Sequence, residues 1–387
     1  MPDSSFICSD MKFSSKSAAA VLSVFFAVSC SGPSVRTESF GKLSTGEEVS
    51  LFRLSNGSGA YVEITDYGCR IVGLHVPDRK GRLGDVIVGY GDISSFETGS
   101  ERFFGAVIGR YGNRIDGAEF VLDGKTVSLS ANEELGGRPV HIHGGFKGFD
   151  RVLWDAETIV EDSRAGVRFS RISPDGEEGY PGNLSCSVTY WWTEDNVLRI
   201  EYGATTDAPT VVNMSNHAFF NLKGEDGGYV MDHLLQVESD FYIQNTEQFV
   251  PDLILPVDGS PFDFREPHRV DYRTDMPNEH LRIMHGFSAC WILRGDAGGF
   301  ARAGSLYEPR SGRGVEIWTD EPGLLTYTGR TFNESVLGKY GPVEKFGGML
   351  LETLHFADSP NQPRFPSTVL RPGETYSSVT EFRFYAE

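Results

Sequence analysis

Alternation constrains this chain more than any other feature of its sequence. From residue 49 to residue 385, apolar side chains recur at a period near two in short runs: 49–54, 61–65, 69–76, 166–172, 184–192, 197–204, 211–222, 233–243, 287–293, 314–319, 324–328 and 379–385. That period sets one face of an extended strand against a core and the other toward water. Turn residues separate the runs, and two of these turns specify hairpins. Asp123-Gly124 joins 119–122 to 125–129 through a two-residue loop. Glu194-Asp195-Asn196 joins 184–192 to 197–204. Helical periodicity is scarce, the best stretch being 93–104. The 45 glycines and an aromatic share of 12% fit many strands joined by turns. No internal repeat or linker divides residues 31–387. The expected fold is all-β, one large antiparallel β-sandwich with few short helices.

One run departs from the pattern. Met349, Leu350 and Leu351 are all apolar, and Glu352 follows them. A carboxylate in that position either faces water from a strand or is held in a partly dry pocket. In the pocket its pKa would rise and make it a proton acceptor near neutral pH. The turn Arg371-Pro372-Gly373-Glu374 then precedes a last strand.

Five other places carry polar groups that a strand pattern does not require. The run 109–115 (GRYGNRI) offers Asn113 and Arg114 as donors beside glycines that permit close approach, and it also fits a glycine turn with solvated arginines. His141 and His143, two apart on an extended strand, share a face, but no third ligand has suitable spacing and no metal is expected. Residues 173–182 read as a surface loop. His217 stands among aromatic residues in 213–222, where a satisfied core histidine is the plain alternative. Asp263, between Phe262 and Phe264, equally suits a structural ion pair with Arg265. Together these are groups that bind neutral sugars: aromatic faces take the apolar side of the ring, and charged and amide groups take the hydroxyls.

The net charge of −19 argues against a nucleic-acid partner. Residues 1–30 read as a targeting segment: Lys12 and Lys16, an apolar core over 18–28, and Ala27-Val28-Ser29-Cys30 at its end. The core is too short to span a bilayer. A small residue before a cysteine resembles the lipobox of bacterial lipoproteins, although Ala27 stands where Leu is usual; a plain secretory signal is the alternative. Met11 opens the usual pattern, so Met1 and Met11 both stand as starts. The expectation is an exported chain, in the periplasm or held at the outer membrane of a bacterium as a lipoprotein, with Cys30 lipidated and that anchor its one membrane contact. Cys69, Cys186 and Cys290 make no disulfide framework and read as small buried apolar residues, with one pairing left open.

The motifs GRYGNRI, HIHGGFKGFDRVLWD (141–155), SPDGEEGYPGNL (173–184), NMSNHAFFNL (213–222), VDGSPFDFR (257–265) and LLETLHFADSPNQPRFPSTVLRPGE (350–374) occur in that order. In them the chain resembles the aldose 1-epimerases, or galactose mutarotases, over nearly all of its length after residue 30. The resemblance implies the family's large β-sandwich, the mutarotase-like supersandwich, and a reaction that interconverts α and β anomers of a free aldose such as glucose or galactose. It implies that Glu352 takes the proton of the anomeric hydroxyl while His217 protonates the ring oxygen. Asn113, Arg114, His143, Phe219 and Asp263 fall at the family's sugar-binding positions. No metal or organic cofactor is implied, the partner is a small monosaccharide, and a monomer is expected.

Three departures bear on specificity. Ser288 and Ala289 replace an Asp-His or Asp-Asn pair common in the family, Leu325 stands where many members have Gln, and Val140 stands where Asn is common. Alternative readings are a hexose-phosphate epimerase, which wants an Arg or Lys cluster, a glycosidase using Glu352 with Asp263, and a non-catalytic carbohydrate-binding module of the same fold.

Overall fold

Most of the alternating runs form two large antiparallel sheets that share one core, while 49–54, 61–65 and 69–76 fall in a separate five-stranded antiparallel sheet. The structure, a computed structural model, describes residues 32–224, 227–295, 298–333 and 335–387. The expected targeting segment, Cys30 included, lies outside the described residues. Among those described, no helix is long and apolar enough to cross a membrane.

The nine-stranded sheet runs, in spatial order, through Asp155–Glu161, Arg164–Ser173, Leu184–Thr193, Val197–Thr206, Tyr376–Ala386, Arg313–Thr319, Ala301–Tyr307, Leu234–Val237 and His268–Arg269. The seven-stranded sheet runs through Pro251–Pro256, Ser239–Asn245, Ser288–Leu293, Gly323–Tyr327, Met349–Leu354, Phe219–Phe220 and Ile87–Val88. Alternate residues of both meet in the core: Val188, Tyr190 and Trp192 from the first, Ala289, Trp291, Leu324 and Leu351 from the second. This leaves the other face of the smaller sheet, with Cys290, Leu325 and Leu350, turned away from that core.

Both hairpins form. Lys125 pairs with Leu122 around Asp123 (φ 50) and Gly124 (φ 77), the two positive φ values that a twisted two-residue turn requires. Trp192 pairs with Leu198 across the second. The helix is shorter than its pattern: Ile93–Thr98, capped by Asp92 and ended at Gly99, where a Cβ would lie 2.4 Å from the Tyr90 ring. A second short helix, Glu279–Ile283, carries no clear period. The three cysteines are free thiols.

The segment read as one strand over 211–222 is instead three fragments. Thr210–Val211, Ser215–Asn216 and Phe219–Phe220 pair with three different partners. Every residue from 211 to 222 is buried, so alternation had no face to report. Asparagine amides replace the missing ladder bonds. Asn213 donates to the Gly112 and His355 carbonyls and accepts from the His355 N–H, Asn216 donates to the Gly105 carbonyl, and Asn221 to those of Gly228 and Gly347.

Candidate active site

A cleft of about 380 Å³ opens on the outer face of the seven-stranded sheet. Its floor is set by strand register. Ile243 pairs with Cys290, Cys290 with Leu325, and Leu325 with Glu352. On the other side Phe219 pairs with Leu350, and His217 stands two residues before Phe219 as Glu352 stands two after Leu350. One row across the sheet thus reads Glu352, Leu325, Cys290, Ile243, with His217 lining the cleft from the segment that precedes Phe219–Phe220.

Glu352 is completely buried, because all six residues of Met349–Leu354 are. Neither carboxyl oxygen has a hydrogen-bond partner among the described residues. The Ser215 hydroxyl beside it donates instead to the Thr353 carbonyl at 2.7 Å. Burial outweighs what the Ser215 hydroxyl offers the carboxylate and pushes its pKa from 4.5 up to about 8.

His217 shows the opposite shift. Its backbone is tied at both ends, the N–H donating to Ala106 O at 2.8 Å and its carbonyl accepting from Gly105. Its ring is boxed by Phe219, His143 and Phe103 at 5.3, 5.0 and 5.6 Å between centroids. Nδ1 has no partner among the described residues, and burial brings the pKa down to about 4. Two neighbouring groups thus have pKa values driven apart from their ordinary order, and both keep polar atoms free for something else.

His143 is fixed more tightly. Its Nδ1 accepts the Asn113 N–H at 3.1 Å, so the neutral ring carries its proton on Nε2. Burial, reinforced by His217 and Arg114, holds its pKa well below the ordinary value. Its own N–H donates back to the Asn113 carbonyl, both residues having positive φ (63 and 49). That conformation ends the strand Arg138–Ile142 and breaks the shared face expected for His141 and His143. His141 turns away, with Nδ1 on the Ser130 carbonyl and Nε2 on the Tyr180 hydroxyl. Asn113, Arg114, His143, His217 and Phe219 all line the cleft, with Arg114 held bidentately by Glu133 at 2.6 and 3.0 Å.

Asp263 lies elsewhere. It is gripped by Arg265 at 2.8 and 2.7 Å, which holds its pKa low, and it lines a separate cavity with His268 and Tyr272. The backbone turns tightly at Asp263, the Phe264 N–H donating to the Phe262 carbonyl at 3.1 Å, and the guanidinium two positions on takes the acid. Asp263→Asn is therefore expected to leave KM and kcat within about twofold of wild type; a tenfold rise in KM in a rotation assay would contradict this placement.

Sequence reasoning missed Glu101, Phe249, Met284, Tyr327 and Arg330, which complete the cleft from loops and strand ends. Phe249 (φ 56) presents its ring to Arg114 at 5.2 Å and to Arg330 at 6.0 Å. A Phe in a loop carries no local signal of such a role.

Comparisons with known proteins place the chain in a family. The family model described as Aldose 1-epimerase matches residues 50–383. The chain is 39% identical to the galactose mutarotase of Homo sapiens over 356 residues, which cover 91% of this chain and 98% of that protein. It is 33% identical to the aldose 1-epimerase of Escherichia coli K12 over 345 residues, 88% and 97% of the two. The fold is similar to the crystal structure of a galactose 1-epimerase from Lactobacillus acidophilus, with a TM-score of 0.79 at 23% identity, covering 92% of this chain and 99% of that one.

Proposed function

The chain belongs to the aldose 1-epimerase family and is an isomerase, and from that premise we propose that Glu352 and His217 exchange the anomers of a free aldopyranose such as galactose or glucose. The sugar lies over the row with its C1–O5 bond above the pair. In the tautomer that moves the pair's one proton from Glu352 to His217, the Glu352 carboxylate takes the O1 proton, the His217 imidazolium gives its proton to O5, and C1–O5 breaks to leave the open-chain aldehyde. Rotation about C1–C2 presents the other carbonyl face. The O5 hydroxyl then attacks C1, returning its proton to His217 while Glu352 reprotonates O1. His143, a neutral Nε2–H donor, and Asn113 orient the hydroxyls.

What supports this reading is that the buried Glu352 carboxyl oxygens and the His217 Nδ1 that lines the cleft both lack a hydrogen-bond partner among the described residues. The pair needs one proton in either direction, and one proton is what it holds near neutrality. The alternatives find less support. Arg114 is committed to Glu133 and leaves Arg330 as the other arginine lining the cleft for a phosphate, Asp263 lines a separate cavity instead of standing as a glycosidase's second carboxylate, and a binding module has no use for such a pair.

Polarimetry of freshly dissolved crystalline α-aldopyranoses, galactose and glucose first, tests the reading. Faster approach to an unchanged final rotation is expected, and a panel in which no sugar relaxes faster than in buffer would sink it. A pH series adds detail. The singly protonated pair predominates between the two shifted values, so kcat/KM should be bell-shaped, falling below about pH 4 as His217 takes a second proton and above about pH 8 as Glu352 loses its own. A rate that still rises above pH 9, after subtraction of the buffer rate, would contradict the pair.

A further inference from the structure

The row that begins at Glu352 is polar at one end only. With O1 on Glu352 and O5 on His217, the remaining ring neighbour of C1, the C2 carbon, points along the row away from His217 and over Leu325. The wall there offers little to a hydroxyl. Leu325 and Met284 are apolar, and burial holds the Cys290 thiol protonated, its pKa raised to about 12. The Ser288 hydroxyl is spent on the Thr326 carbonyl at 3.0 Å. A hydroxyl desolvated against this wall would lose its water without replacement. Asn245 also lines the cleft, and its NH₂ lies against the Met284 sulfur at 3.5 Å, leaving its carbonyl oxygen for a donor in the cleft.

We propose that this cleft selects aldoses bearing an acetamido group at C2, the methyl packing on Leu325, Cys290 and Met284 and the amide N–H donating to Asn245 Oδ1. The inference rests on the orientation proposed above and narrows its substrate class. It requires no change in chemistry, since C2 keeps its bonds throughout.

The test compares freshly dissolved N-acetyl-D-glucosamine with glucose, and N-acetyl-D-galactosamine with galactose, by polarimetry or by NMR exchange between anomeric protons. The acetamido sugar of each pair is expected to show kcat/KM at least about tenfold higher. Equal or lower values would overturn the inference while leaving anomer exchange intact, whereas acceleration of neither sugar would remove the functional reading with it. 2-Deoxyglucose separates two causes: a rate matching the acetamido sugar means that the wall merely rejects a hydroxyl, and the acetamido assignment fails. Leu325→Gln should cut the acetamido preference about tenfold, and the volume-conserving Leu325→Met should keep it. An unchanged ratio in Leu325→Gln would rule out this wall as the selector.

Discussion

Glu352→Gln will lower kcat by ~1,000-fold or more and raise the stability of the fold at pH 8. Both effects have one cause. Gln keeps the shape of the acid but accepts no proton, so the O1 hydroxyl loses its base. It also stays neutral where the wild-type carboxyl is forced toward a charge it cannot solvate. The folded-state pKa lies above the unfolded value, at about 8 against 4.5. The folded chain therefore binds more protons than the unfolded one between these values, and wild-type stability falls as pH rises through that window. The gap between variant and wild type should be near zero at pH 4 and grow to on the order of 3–5 kcal/mol at pH 8. Thermal or denaturant unfolding of both proteins at pH 4.5, 6 and 8 reads it directly. A gap independent of pH would mean that Glu352 is not held neutral by burial.

His217→Asn is the second large effect, with a different signature. Loss of the proton donor to O5 should cost ~100- to 1,000-fold in kcat, and the acid limb near pH 4 should vanish from whatever rate remains. Stability should fall here, not rise, because Asn leaves unfilled the ring position between Phe219, Phe103 and His143; about 1–3 kcal/mol is expected. Comparing the two variants tests the assignment better than either alone. A His217→Asn enzyme with near-wild-type kcat would assign protonation of O5 to another group, and His143 Nε2 would be the first to mutate.

Much of this was legible in the sequence, for reasons that differ from place to place. The Asp123-Gly124 hairpin was readable because only a residue pair tolerating positive φ closes a two-residue turn. Glu352 stood out because a carboxylate after three apolar residues departs from the alternation and leaves two placements, a solvated strand face or a partly dry pocket. Its burial was not legible: both faces of Met349–Leu354 are covered, one by the core and one by the cleft, and alternation cannot report a strand with no wet side. Residues 211–222 failed for the same reason. The role first given to Asp263 reflects another limit, because a motif supplies a residue type but not the partner that claims it, and Arg265 was two positions away. The pairing of His141 with His143 assumed an extended backbone that the left-handed turn at His143 ends.

The asparagine ties at 213, 216 and 221 carry a consequence for how the enzyme is made. Asn213 is joined to His355 across 142 residues, and Asn221 to Gly347 across 126. During synthesis from the N-terminus, His217 leaves the ribosome long before its partner strand exists. The Phe219–Phe220 fragment then presents an unpaired edge until Met349–Leu354 arrives. The proton-transfer pair is thus among the last features of the molecule to exist. Recovery of turnover after dilution from denaturant will lag behind the return of strand signal from hairpins such as Leu184–Thr193 with Val197–Thr206, whose partners are neighbours in the chain.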